Sequence, residues 1–258
     1  MPRIHVLLKK QELDSVGLPG KVVVVLDILF ATSSIVTALA HGAKAVIPTI
    51  DEAAARTEAS RYASGTYVLS GELNLETLPG FVPATPLRLF QEDLVGKKLI
   101  YSTTNGTVAL RKSESATRVY AAALLNGEAV TRHLAREFRN NTILIVCSGS
   151  GDNFNLEDCY GAGYFVDLLG DRYGQAAEFS DAALAARRLF RSGEAVDCLL
   201  STRVGRIMVE RGLVDEVLFA AKLSEFDVVP ILMNGSVRID PPESGASMKL
   251  PWPTARDR

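Results

Sequence analysis

Cysteine is scarce in this chain of 258 residues: only Cys147, Cys159 and Cys198 occur, without a paired spacing, which excludes a disulfide framework. The opening residues Met1-Pro2-Arg3-Ile4-His5 lack the basic stretch and apolar core of an export signal, so the cytoplasm is the expected compartment. No apolar run approaches the roughly 18 residues that a spanning helix needs, and no membrane partner is expected. Histidine is equally sparse, with His5, His41 and His133 far apart, so any metal is expected to be held by oxygen. An excess of positive charge is missing as well. With 28 Lys and Arg against 30 Asp and Glu, the net charge of -2 offers no global field for nucleic acid. The expected partner is a small molecule, and a homo-oligomer is left open.

What is present is a globular composition, 47% hydrophobic and 22% charged, sufficient for one α/β domain or two small lobes over residues 1–240. Pro241, Pro242, Pro251 and Pro253 mark residues 241–258 as an irregular tail. The β-branched run at 21–26 reads as a strand buried on both faces. Further strands are expected at 45–48, 67–72, 97–101, 119–121, 142–147, 216–220 and 228–232. Helices are expected at 35–41, 51–62, after 107, at 127–138, 155–169 and 180–191. Residues 73–92, with Pro79, Gly80, Pro83 and Pro86, read as a long loop. This alternation predicts an α/β protein with a mostly parallel sheet covered on both faces. In such sheets ligands bind beyond the carboxyl ends of the strands.

Several familiar chemistries fail on single residues. The glycine turn at Gly149-Ser150-Gly151 is not a dinucleotide fingerprint, because Phe154 stands where its third glycine belongs. Cys147 at a strand end lacks the arginine of a cysteine phosphatase, Asn153 standing in that place, and reads as a buried thiol. Asp27 lacks the second aspartate of an aspartyl-phosphate enzyme, since that position is Leu29.

What survives is a set of carboxylates, Asp27, Glu72, Glu157 and Asp158, at or just past expected strand ends, with Ser102-Thr103-Thr104-Asn105-Gly106-Thr107 between them. Hydroxyls, amides and a helix start at that turn would hold phosphate, sulfonate or carboxylate. Hard oxygen donors suit Mg²⁺, which takes one or two carboxylates and completes its shell with water and substrate phosphate. Each residue also has a plain reading as a helix cap or first-turn acid.

At these residues the chain resembles the 2-phosphosulfolactate phosphatase family, Mg²⁺-dependent enzymes of coenzyme M biosynthesis. The resemblance runs over about residues 20–235. It rests on Asp27-Ile28-Leu29 with Ala31-Thr32-Ser33, Gly71-Glu72, Gly80-Phe81, Thr103-Thr104-Asn105-Gly106-Thr107, Asn126-Gly127-Glu128-Ala129, and Glu157-Asp158 with Ala162-Gly163. It implies a multilayer α/β/α fold with a mostly parallel or mixed sheet and a small anionic phosphorylated substrate. Asp27, Glu72, Glu157 and Asp158 would then be catalytic, with Asp27, Glu72 and Glu157 on Mg²⁺. Thr103, Thr104, Asn105, Gly106, Thr107 and Arg206 would bind substrate.

The chain departs from the family pattern at Phe30 and Leu73, where the family usually has arginine, and at Val82 to Pro86 and Arg88. Arg88, Arg203 and Arg206 are the candidate replacements for the missing charge, with Arg203 read first as a surface residue. An altered homologue that binds a small anion without turnover is the alternative.

Overall fold

The computed structural model describes residues 1–151 and 153–240, so the tail expected at 241–258 lies outside the described residues. The strands are β1 Arg3–Leu7, β2 Val22–Leu26, β3 Ala45–Thr49, β4 Tyr67–Leu73, β5 Glu76–Thr77, β6 Lys98–Ser102, β7 Arg118–Ala122, β8 Thr142–Cys147, β9 Glu178–Phe179, β10 Pro230–Met233 and β11 Ser236–Ile239. The helices are α1 Ala31–Ala40, α2 Glu52–Ala59, α3 Pro86–Phe90, α4 Gly106–Lys112, α5 Gly127–Glu137, α6 Leu156–Tyr173, α7 Asp181–Phe190, α8 Ala195–Ser201, α9 Arg203–Glu210 and α10 Val214–Ala220.

One mixed sheet runs β5-β4-β6-β3-β11-β10-β7-β2-β8-β1-β9. Two parallel blocks, β4-β6-β3 and β7-β2-β8-β1-β9, are joined by the antiparallel hairpin β10–β11, which touches β7 through Ile231 and β3 through Val237. Side-chain alternation along the strands then sorts the core. Val22, Val24 and Leu26 join Ile143 and Ile145 under α5 to α10, while Val23 and Val25 turn to the opposite face. There they meet Leu99 and Tyr101 of β6 and Val46 of β3, with Ile35 and Leu39 of α1 and Leu110 of α4 in the same cluster. Ile47 and Ile100 face away again, onto Ala55 and Ala59 of α2. The sheet therefore curls around α1 and α4, so that ends of strands far apart in sheet order come together.

Three sequence expectations are revised. The segment expected as a strand at 216–220 is helix α10: Val217 and Ala220 are buried while Leu218 is exposed, the i, i+3 pattern of one helix face. Its Glu216 accepts hydrogen bonds from Thr85 Oγ1 (2.6 Å) and from the N–H groups of Leu87 (2.8 Å) and Arg88 (3.2 Å), so it caps α3 from a distant part of the chain. The loop expected over 73–92 contains β5 and α3. Strand β1 has no counterpart among the expected strands, because only Ile4 and Val6 of its five residues are buried and its pairing to β8 is supplied from the middle of the chain.

The longest helix, α6, crosses the back of the second block and packs on α7. At Gly163 a Cβ would come 2.0 Å from the carbonyl oxygen of Ala186, a backbone atom that cannot rotate away. Gly163→Ala is therefore expected to lose about 1–3 kcal/mol by forcing the helices apart, even after the small gain in helix propensity. Urea denaturation checks it, and an unchanged midpoint would contradict this packing.

Candidate active site

The C-terminal ends of β2, β4, β6 and β8 open on one cleft of about 250 Å³. Asp27 follows β2 directly. Its turn is set by Thr32, whose Oγ1 accepts the Asp27 N–H (2.8 Å) and donates to the Asp27 carbonyl (3.1 Å). The Asp27 carboxylate accepts from the N–H groups of Ala31 and Gly106. Gly106 is required there: a Cβ would lie 2.7 Å from Asp27 Oδ2 and 2.5 Å from the Ala31 Cβ. The Thr-Thr-Asn-Gly-Thr turn is thus pressed against Asp27, although β6 and β2 are not neighbours in the sheet.

Glu72, near the end of β4, accepts the N–H of Leu75 on Oε2 (2.8 Å) and faces the N–H of Thr104 with Oε1 (3.4 Å). Glu157 enters from the first turn of α6, almost fully buried, and completes the acidic lining with Asp27 and Glu72. Crowding of these charges shows in their protonation. Burial, then the charges of Asp158 and Glu72, push Asp27 up to about 8. Burial, with the charge of Asp27 adding to it, raises Glu157 to about 7, while a Thr202 hydrogen bond and the Arg203 charge pull the other way.

Beside the carboxylates, Thr103, Thr104 and Asn105 of the turn after β6 add hydroxyl and amide groups to the cleft lining. Asn105 Nδ2 donates to Thr104 Oγ1 (3.2 Å), and Asn105 Oδ1 accepts from the Gly151 N–H (3.1 Å) and from Lys10 Nζ (2.9 Å). Lys10 is 5% exposed and also donates to the carbonyls of Ser148 (3.0 Å) and Gly151 (2.9 Å). It ties the N-terminal segment, the turn after β6 and the loop after β8 into one unit.

Not every sequence candidate reaches the cleft wall. Thr107 is buried, with Oγ1 donating to the Thr103 carbonyl (2.7 Å), so it shapes the turn from behind. Gly106 acts through its lack of a side chain. Asp158 has both oxygens committed, Oδ1 to the N–H of Ile28 (3.0 Å) and Oδ2 to the N–H of Gly149 (2.9 Å). It pins the ends of β2 and β8 together beneath the site. Its carboxyl is raised to about 7 by burial and by the charge of Glu157.

Arg206 is not among the residues that line the cleft. It lies off the face of α9 that lines the cleft and donates instead to the carbonyl of Ser201. The cleft cations are Arg203, read from sequence as a surface residue, and Arg211. Positions 203, 207 and 211 fall on one helical stripe, a spacing that would have singled them out. Lys10, by contrast, has no local signal in sequence. Leu73 does not line the cleft, whereas Phe30 does. Cys147 is fully buried, with its thiol held well up by desolvation, in keeping with a structural role. None of the three histidines lines the cleft.

Among the described residues no three Asp, Glu, His or Cys side chains converge into a ready metal cage. Asp27, Glu72 and Glu157 share the cleft as separate donors of hard oxygen. Such a set fits a cation that needs few protein ligands and completes its shell with water and substrate, as Mg²⁺ does, and does not fit Zn²⁺.

Carboxylates set against a hydroxyl and amide wall at the mouths of parallel strands define an α/β protein built to receive a small oxyanionic ligand. The sequence pattern of the 2-phosphosulpholactate phosphatase family matches residues 7–235, and the chain belongs to that family. It is 37% identical over 223 residues to a protein of Symbiobacterium thermophilum named probable 2-phosphosulfolactate phosphatase, covering 85% of this chain and 94% of that one. A protein of Caldanaerobacter subterraneus subsp. tengcongensis with the same name is 36% identical over 224 residues, 86% of this chain and 91% of its own. One from Clostridium perfringens strain SM101, also so named, is 32% identical over 252 residues, 96% of this chain and all of its own length.

Proposed function

We propose that this chain is a phosphoric monoester hydrolase that releases phosphate from 2-phosphosulfolactate or a similarly small, multiply anionic ester, with Mg²⁺ bound at the cleft carboxylates. The observation that carries the reading is the gathering, in one cleft, of Asp27, Glu72 and Glu157 with Thr103, Thr104 and Asn105 of the turn after β6. Family membership supports the reaction class. The raised carboxyls of Asp27 and Glu157 support a cation, because a divalent charge relieves the repulsion that burial intensifies.

In this reading the hydroxyls of Thr103 and Thr104 and the Asn105 side chain bind and orient the phosphoryl oxygens. Asp27, Glu72 and Glu157 would hold Mg²⁺. When bound, the ion supplies neutralisation of phosphoryl charge and a more acidic water. The Ala31 and Gly106 amides fix the orientation of the Asp27 carboxyl, and a bound cation would favour its ionised form. Lys10 and Asp158 act from behind, holding the three loops in register. No covalent nucleophile is assigned. A cytoplasmic setting belongs to the same reading and is supported by free thiols at Cys147, Cys159 and Cys198. Among the described residues no helix is long and apolar enough to cross a membrane.

The test is phosphate release from 2-phosphosulfolactate and related phosphorylated hydroxy acids, with Mg²⁺ and with a chelator. The expected result is turnover that chelation abolishes and Mg²⁺ restores. Thermal stabilisation by sulfolactate or phosphate without any phosphate release would instead convert the reading to a non-catalytic anion binder.

A further inference from the structure

The cleft has a second side that the carboxylates and hydroxyls leave unexplained. Arg203 begins α9 and Arg211 follows its end, and both line the cleft together with Val204 and Ile207 from the same helix. Among the described residues Arg203 makes no ion pair or hydrogen bond, and Arg211 makes one, from Nη1 to the Asn74 carbonyl (3.2 Å) at the cleft rim. Leu75 and Phe30 complete an apolar strip beside them. Guanidinium groups with unused donors, set beside carbon surface, suit an acid group borne on a short carbon chain.

From this we infer that Arg203 and Arg211 form the clamp for the non-phosphate acid group of the substrate, a carboxylate or sulfonate next to the ester carbon, with its carbon chain against Val204, Ile207 and Phe30. The clamp rests on the phosphatase reading for the placement of the phosphoryl group at Thr103 to Asn105. It makes α9 the specificity element and separates two jobs. The acidic side and its hydroxyl wall handle the phosphoryl group, and the arginine side selects which ester enters.

The chemistry explains why the two arginines stand apart from the carboxylates. A cation in direct contact with Asp27 or Glu72 would compete with any divalent ion for the same oxygens. Arg203 lies near enough to Glu157 to hold its carboxyl down somewhat, yet no ion pair forms. Its fork stays available to a ligand.

Steady-state kinetics on 2-phospholactate and on isopropyl phosphate, which has a methyl group in place of the carboxylate, measures the clamp as a preference ratio. The ratio of kcat/KM values is expected to favour 2-phospholactate in the unaltered chain. In Arg203→Gln and in Arg211→Gln it should fall by roughly 10- to 100-fold, mainly through KM, as expected for loss of a charge-assisted contact. Arg203→Lys should recover part of it. A ratio that does not change in either variant, whether both substrates weaken together or neither does, overturns the clamp.

Melting temperatures with ligand separate this from failure of the phosphatase reading itself. If no ester is hydrolysed, stabilisation by sulfolactate should still be lost in the two glutamine variants while stabilisation by inorganic phosphate is retained. Equal loss of both, or of neither, overturns the clamp independently of turnover.

Discussion

Asp27→Asn is expected to lose about 1,000-fold or more in kcat/KM for phosphate release while the metal-free protein becomes no less stable than before. The activity loss corresponds to about 4 kcal/mol of transition-state stabilisation, the scale on which a charged group at a phosphoryl site acts. The stability result has a different origin. Asp27 lies amid Asp158 and Glu72 and is pushed up to about 8, so the metal-free fold holds it largely protonated at neutral pH and an uncharged isostere gives up no favourable charge contact. The carboxamide oxygen of the substituted side chain can still accept from the amides of Ala31 or Gly106. Activity assays with saturating Mg²⁺, paired with melting curves in chelator, read the two effects separately. Full Mg²⁺-dependent activity in this variant would remove Asp27 from the proposed metal set.

The metal-free protein should also lose stability as pH rises. Asp27 at about 8, and Glu157 and Asp158 at about 7, all lie above their ordinary values of 3.8, 4.5 and 3.8. Carboxyls raised in the fold keep protons that the unfolded chain has already released. Unfolding in this range therefore releases protons, and the folded state weakens with increasing pH until these groups have ionised.

The window from about pH 6.5 to about pH 8 carries most of the effect, because Cys147, Cys159 and Cys198, also raised by burial, add a loss of the same sign mainly above it. His41 and His133 are lowered in the fold, chiefly by burial, so their contribution has the opposite sign and is confined to more acid pH, where the unfolded chain takes up protons first. Over the window the loss is expected to be about 2–4 kcal/mol, the neighbouring groups sharing the shift rather than adding it. For a chain of this size that is a fall of roughly 5–15 °C in melting temperature. Mg²⁺ should flatten the dependence by favouring the ionised carboxylates. A metal-free melting temperature that is constant or rising across the window would contradict the crowding of these acids.

The arrangement also accounts for which residues tolerate no enlargement. Gly106 admits the close approach of the hydroxyl-rich turn to Asp27, and Gly163 admits α7 against α6. The first is a requirement of the site and the second of the scaffold. Both are glycines at the start or inside of a helix, where sequence alone gives no reason to prefer glycine.

Local pattern was enough for much of the framework. The run Val22–Leu26 declared itself a doubly buried strand, and Asp51 declared the start of α2, where its side chain accepts the Ala54 N–H at 2.7 Å. The Thr103 to Thr107 block declared a strand-to-helix turn with more hydroxyls than a cap needs. These are near-neighbour properties: side-chain period, caps and turn residues act within a few positions along the chain.

Other features are tertiary. Glu216 reads as part of an apolar run until Thr85 and α3 are brought to it. Asp158 looks equivalent to Glu157, yet one turns to the cleft and the other is consumed by the amides of Ile28 and Gly149, because adjacent residues on a helix point about 100° apart.

The sequence by itself determined the α/β class, the carboxylates at strand ends and the hydroxyl-rich turn before α4, since each is written in a short stretch of chain. Only the tertiary structure decided that these stretches share a cleft, because the sheet must curl around α1 and α4 before Gly106 can meet Asp27. The same folding placed Arg203 and Arg211 rather than Arg206 in the cleft wall, through the pitch and placement of α9. It also buried Lys10 between loops whose residues lie 95 and 138 positions away, a contact that no local pattern encodes.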